Sequence, residues 1–434
     1  MPKRCSDYAE LDLFAAPCEN NQIEKINWIE IATETTLDGT KFPETLVFEI
    51  KPASDRKMID LSRIMLKLNL KFKVGSGIPH GAVVNNILHS MIKNVIIKLN
   101  DETLATSNGL YAYASYFIDL LDTSQEQKEG LMTAQGWYPD TPKFSYVPDA
   151  TNKGWETRKD RTYCKTDAQD SEFLGKLHVD LLNQERYLIP GVKIRIELTM
   201  AKPAFFIFSK HESTAGYSTS INNAALRVPY VQLSDKSMTE IKETLKKTPV
   251  LYPIQRIVMK NLSISSTTTN VFKFEISNGQ LPKKVIAAIT TDDAMTGDVK
   301  TNPLCFRGKH ISFTISKIEL NVDGMPYAKR AFTPDIEKGD YAISYMNFFE
   351  SLNFTCDAGN APSIPYDDFN SYCIFPFNLN PACISDPGVF KNIGTVGLEI
   401  EFESKPKETL QLIVMLIYDN CVSINHERRF TMDW

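Results

Sequence analysis

The chain of 434 residues carries one local pattern twice. In the first copy Val95-Ile96-Ile97-Lys98-Leu99 runs into Asn100-Asp101 and, after a gap, into Tyr111-Ala112-Tyr113-Ala114-Ser115-Tyr116. In the second, Ile318-Glu319-Leu320-Asn321-Val322 runs into Asp323-Gly324 and then, further on, into Tyr341-Ala342-Ile343-Ser344-Tyr345. Each copy reads as an apolar strand, a turn and a Tyr-rich helix, because Asn, Asp and Gly tolerate the backbone angles that tight turns require. Each is followed by an alternating strand, Val192 to Met200 and Val396 to Glu403. Solenoid repeats recur every 20 to 50 residues or so, and this one is far longer. The pattern therefore implies two duplicated domains.

Alternation sets the class of those domains. Leu66, Leu68, Leu70, Phe72 and Val74 alternate with Lys67, Asn69, Lys71 and Lys73, and Val192, Ile194, Ile196, Leu198 and Met200 with Lys193, Arg195, Glu197 and Thr199. Phe272, Phe274 and Ile276 repeat the pattern, which puts one face in a core and the other toward water. Between Ile315 and Ile318 the apolar parity switches, as a one-residue bulge requires. Helices are few. One is expected from about Asn108 to Asp122, with a counterpart near Asp340 to Leu352. A third is expected between the halves, started by a capping box of Ser237 and Glu240, lined by Met238, Ile241 and Leu245, and stopped by Pro249. The expected division is an arm over residues 1–44, a first unit over 45–233, a linker helix over 234–252 and a second unit with a tail over 253–434. Two mostly antiparallel units of this size, each with a helix in a long connection, suit jelly-roll sandwiches.

Composition removes several functions. A formal charge of −5 does not provide the basic surface that general affinity for phosphate backbones needs. The start of the sequence has no continuous apolar segment of the secretory kind, so an intracellular soluble protein is expected. The eight cysteines form no CxxC pair and are expected to be reduced thiols. Among the six histidines there is no H-x-H or H-E-x-x-H spacing, so no metal ligand set is expected. His178 is placed on the same face as Asp180 as a hydrogen-bonded strand histidine. Asp292, Asp293 and Asp298 lack calcium-loop spacing and read as a structural loop. Neither a phosphate loop nor a G-x-S-x-G elbow is present. Catalytic and cofactor residues are thus expected to be none. The candidates are interface residues instead: Leu11, Leu13, Phe14, Trp28 and Ile29 in the arm, too apolar to stay solvated, and Arg428 and Arg429 near the C-terminus, read as a tail or subunit contact.

In order along the chain stand Glu10-Leu11-Asp12-Leu13-Phe14, Asp60-Leu61-Ser62, Asn85-Asn86-Ile87-Leu88-His89-Ser90, Leu174-Gly175-Lys176-Leu177-His178-Val179-Asp180, Glu185-Arg186-Tyr187-Leu188, Leu281-Pro282-Lys283-Lys284-Val285, Asn302-Pro303 and Val322-Asp323-Gly324. With these the sequence resembles the double jelly-roll major capsid proteins of Polinton/Maverick elements and adintoviruses, relatives of the adenovirus hexon. Loops such as Glu156 to Asp170 depart from the pattern. The resemblance implies a mainly β fold of two consecutive antiparallel eight-stranded jelly rolls. It implies a structural protein, not an enzyme, that forms pseudo-hexameric homotrimers tiling an icosahedral double-stranded DNA virus shell. Partners would be further copies of itself, penton and other minor capsid proteins, with no specific nucleic-acid sequence. Its place would be the virion, after assembly in the host nucleus or cytoplasm, with the arm docked on the shell's inner side. The rival reading is a two-domain jelly-roll lectin or carbohydrate-active enzyme, in which Trp137, Tyr138 and Trp155 would stack on sugars.

Overall fold

The alternating segments fold as strands with one buried face each. The computed structural model describes residues 22–433 apart from 142–144, 146, 163–168, 212, 266–268, 307–312, 328–330, 335–340, 355–361, 363, 370–371 and 381–391. The first half comprises β1 (Ile23–Ala32), β2 (Thr45–Ile50), β3 (Met65–Val74), α1 (Ile87–Ser90), β4 (Ile92–Leu99), β5 (Glu102–Thr106), α2 (Tyr111–Leu121), α3 (Lys153–Arg161), β6 (Asp170–Lys176), β7 (Ile194–Met200) and β8 (Tyr217–Leu233). Helix α4 (Asp235–Lys247) leads into β9 (Val250–Ile264), β10 (Val271–Gln280), β11 (Lys284–Thr291), β12 (Ile315–Val322), β13 (Met325–Pro326), α5 (Ala342–Ser351), β14 (Ile374–Asn378), β15 (Ile393–Phe402) and β16 (Leu410–Ile424).

The two halves have one topology. The first packs a sheet of order β1-β8-β3-β6 against one of order β2-β7-β4-β5; the second packs β9-β16-β11-β14 against β10-β15-β12-β13. Raising every label of the first half by eight gives the second, and every ladder is antiparallel. Each half is an eight-stranded jelly roll, so the chain is a double jelly roll. The repeated sequence pattern is β4-β5-α2 in one half and β12-β13-α5 in the other. Its turns need positive φ, found at Asn100 (46°) and Asp101 (73°) and again at Asp323 (51°) and Gly324 (77°).

Side-chain facing follows the alternation. In β7, Ile194, Ile196, Leu198 and Met200 are buried while Arg195, Glu197 and Thr199 are half-buried. The register of β12 against β15 shifts between Ile315 and Lys317, the bulge the parity switch required. Buried side chains form one apolar cluster spanning both halves. Among the described residues no helix is long and apolar enough to cross a membrane.

Two local expectations need correction. Part of the stretch read as an arm, residues 23–32, is β1, paired along its length with β8 from Ile23↔Leu233 to Ala32↔Ala225. It lacks apolar alternation because only every fourth residue, Ile23, Asn27 and Ile31, turns even halfway inward. Backbone hydrogen bonds hold it along its length, with only Ile23 and Ile31 packing against the core. Helix α4 starts one turn earlier than the Ser237–Glu240 box: Ser234 is the N-cap, its side chain accepting from the Ser237 N–H at 3.3 Å. Its body is as expected, with Met238 and Leu245 buried and Lys246 and Lys247 in the last turn.

Candidate assembly surfaces

The first surface to account for is the seam between the jelly rolls. Asp180 Oδ2 accepts from the Ile257 N–H at 3.3 Å, and Arg186 Nη1 donates to the Leu251 carbonyl at 2.6 Å. The Tyr252 hydroxyl accepts from Ile189 N–H and donates to the Tyr187 carbonyl, both at 3.1 Å. Phe306 of the second half packs on Tyr113, Tyr116 and Phe117 of α2 at centroid distances of 6.1, 6.0 and 5.3 Å. Deeper in, Asp140 accepts from Arg158 Nη2 at 2.6 Å and Asn152 Nδ2 at 2.8 Å on one oxygen, and from Asn302 Nδ2 at 2.9 Å on the other. Buried directional bonds of this kind fix geometry as well as energy, so the two barrels are held in one relative position.

Arg428 belongs to this seam. Its Nε donates to the Pro190 carbonyl at 2.6 Å, and its own carbonyl accepts from Asn100 Nδ2 at 2.8 Å. Arg429 instead projects outward, 3.4 Å from Glu427. The two arginines therefore separate, one bridging the halves and the other on the surface. Trp28 and Ile29 lie on β1 at the end of its sheet, 45% and 44% exposed, with the Arg227 guanidinium over the Trp28 ring at 5.4 Å. An edge strand with apolar side chains is a template for another chain or segment to pair with. Leu11, Leu13 and Phe14 lie outside the described residues.

The expected loop and histidine contacts resolve differently. Asp292 Oδ1 accepts from Gln411 Nε2 of β16, and Asp298 accepts from the Lys300 N–H and the Thr301 hydroxyl, so one acid ties the loop to a strand and the other braces the loop itself. His178 does not pair with Asp180. It sits between β6 and a short helical turn, Asp180–Asn183, with Nε2 2.8 Å from Asp119 Oδ1. His89 from α1 packs beside it at a ring distance of 4.9 Å. Burial, followed by the charge of His178, lowers the His89 pKa to about 4. Burial would raise the Asp119 carboxyl, yet His178 first, then His89 and Asn86, bring it below its ordinary value. The expectation of no ligand set came from spacing, and these three residues come from segments too far apart for spacing to reveal.

Of the three aromatics read as sugar-stacking, Trp137 and Trp155 are buried and Tyr138 is half-buried. Trp137 is 2% exposed and stacks on Tyr116 at 5.4 Å, while buried Trp155 donates its Nε1–H to the Phe208 carbonyl at 2.9 Å. Trp155 is enclosed by protein, and Trp137 reaches only the wall of a cavity that Tyr138 also lines.

The whole chain is similar to solved virus structures. A chain of the Sputnik virophage superposes with a TM-score of 0.66 over 99% of this chain and 92% of its own length, at 11% identity. The mavirus major capsid protein gives 0.56 over 98% and 93% at 10% identity. The Faustovirus major capsid protein gives 0.57 over 95% and 93% at 8% identity. An uncharacterized protein of Caenorhabditis elegans is 21% identical over 359 residues, covering 81% of this chain and 82% of that protein. No protein-family model matches. At these identities the shared property is the fold.

Proposed function

We propose that this chain is the major capsid protein of an icosahedral double-stranded DNA virus or virus-like element, of the Polinton and adintovirus type. The observation that carries the proposal is the pair of jelly rolls with one strand order, joined by a rigid seam. Three such subunits around an axis present six similar walls, which tile a hexagonal lattice with only three chains. Whole-chain similarity to the mavirus and Faustovirus major capsid proteins supports the same role, and the nematode relative supports an animal-associated lineage. The role is structural: contacts with its own copies, with penton and minor capsid proteins, and residence in the virion.

The first residues, through Leu11, Leu13 and Phe14, act as an arm that docks on the base of the subunit or its neighbour, continuing from the exposed edge at Trp28 and Ile29. Deleting residues 1–20 should leave the circular dichroism spectrum unchanged while lowering particle yield. Unchanged yield would refute the docking role, and a lost fold would place the arm in the core. Light scattering tests the oligomer: the expected mass is three times 49.1 kDa, with more than about 2,000 Å² buried per subunit pair. A monomer at micromolar concentration, with no larger species, would overturn the proposal.

A further inference from the structure

Three donors from separate segments converge in the first half. One ring nitrogen of His89, one of His178 and one carboxylate oxygen of Asp119 all lie within 4.8 Å of one another. His89 is fully buried; its Nδ1 is 2.9 Å from the Tyr111 hydroxyl, and its Nε2 has no hydrogen-bond partner among the described residues. His178 Nε2 is paired with Asp119 Oδ1 at 2.8 Å, although off hydrogen-bond alignment. Buried polar atoms are nearly always satisfied, and the unpartnered His89 nitrogen beside the His178–Asp119 pair calls for a group that would engage all three.

The outer positions of the same side chains are already held. Asn86 Nδ2 and Gln135 Nε2 donate to Asp119 Oδ2 at 2.6 and 2.9 Å, which leaves Oδ1 for the cluster. The Tyr111 hydroxyl holds His89 Nδ1 and also accepts the His178 backbone N–H at 3.2 Å. Partners of this kind orient ligands in metal centres.

We propose that His89, Asp119 and His178 bind one zinc-like divalent ion, with water as the fourth ligand. Two imidazoles and a carboxylate suit zinc, whereas calcium and magnesium take oxygen ligands. In a tetrahedral zinc centre the ligand atoms stand about 3.3 Å apart, so the widest edge must close by about 1.5 Å. His178, with 14% of its side chain exposed, gives water its approach. The ion would tie α1, α2 and the segment after β6 together, a cross-link independent of the capsid reading.

The test uses full-length protein made without a polyhistidine tag and stripped with chelator. It is titrated with Zn²⁺ alone, and separately with Co²⁺, whose visible absorption reports its ligands. One equivalent per chain should bind, with a thermal midpoint that rises with zinc concentration and a four-coordinate cobalt spectrum. His178→Ala should weaken binding about 100-fold or more, and Asp119→Asn, which keeps the shape of the carboxylate, should also weaken it. No saturable zinc binding by the parent would overturn the proposal, as would equal affinity in the folded variants. If neither variant folds, the cobalt spectrum of the parent decides, and an octahedral all-oxygen spectrum would refute the site.

Discussion

Replacing Arg158 with Met should destabilise the protein far more than any surface charge could. The guanidinium, 1% exposed, donates from Nη2 to Asp140 Oδ1 at 2.6 Å, from Nε to the Val83 carbonyl at 2.7 Å, and from Nη1 to the Tyr138 carbonyl. Methionine keeps much of the stem but strands the Asp140 carboxylate, now facing only the amides of Asn152 and Asn302, and leaves two carbonyls without these donors. Breaking a buried ion pair from one side costs about 3 to 5 kcal/mol, a large part of the 5 to 15 kcal/mol or so that holds a typical domain. Removing the stranded charge as well should recover part of this. The Arg158→Met/Asp140→Asn double variant should therefore lie about 2 kcal/mol or more above the sum of the single effects. Urea unfolding followed by tryptophan fluorescence is the assay, since Trp137 and Trp155 are both buried. A loss below about 1 kcal/mol for Arg158→Met with an unchanged slope is the surface-pair value, and it would refute the reasoning.

Ile196→Asp should cost about 3 to 5 kcal/mol, because it puts a carboxylate into the fully buried face of β7. Arg195→Ala, next to it on the half-buried face beside Glu197 at 2.9 Å, should cost about 1 kcal/mol or less; equal melting of the two variants would show the facing to be wrong. At the seam, burial pushes the Asp180 carboxyl up to about 7 from its ordinary 3.8. The folded state thus holds a proton that the unfolded chain releases. Its contribution is fully present below about pH 4 and is lost as pH rises through about 7. Asp180→Asn should flatten that part of the melting-temperature profile, and an unchanged slope would remove Asp180 as its cause.

What the sequence disclosed was whatever one face of one strand decides. β3 and β7 alternate without exception because one side meets the core, and the Asn100-Asp101 and Asp323-Gly324 turns declare themselves by residues that accept positive φ. β1 was hidden because its ladder with β8 is a backbone property and its side chains mostly face outward. The start of α4 was offset because Ser234 and Ser237 are both good caps; the choice falls where the β8 ladder ends at Leu233. Arg428 could not be separated from Arg429 by sequence, since only the approach of Pro190 and Asn100 draws it into the seam. The His89–Asp119–His178 cluster was illegible for the same reason: its residues meet only after α1, α2 and the segment following β6 have packed.

Electron microscopy of the purified full-length protein tests the central claim most directly. The account predicts compact trimers with a pseudo-sixfold outline, two similar towers per chain, able to pack edge to edge into hexagonal sheets or closed shells. Uniform single double-barrel particles, or an oligomer whose symmetry gives no six-walled outline, would contradict it.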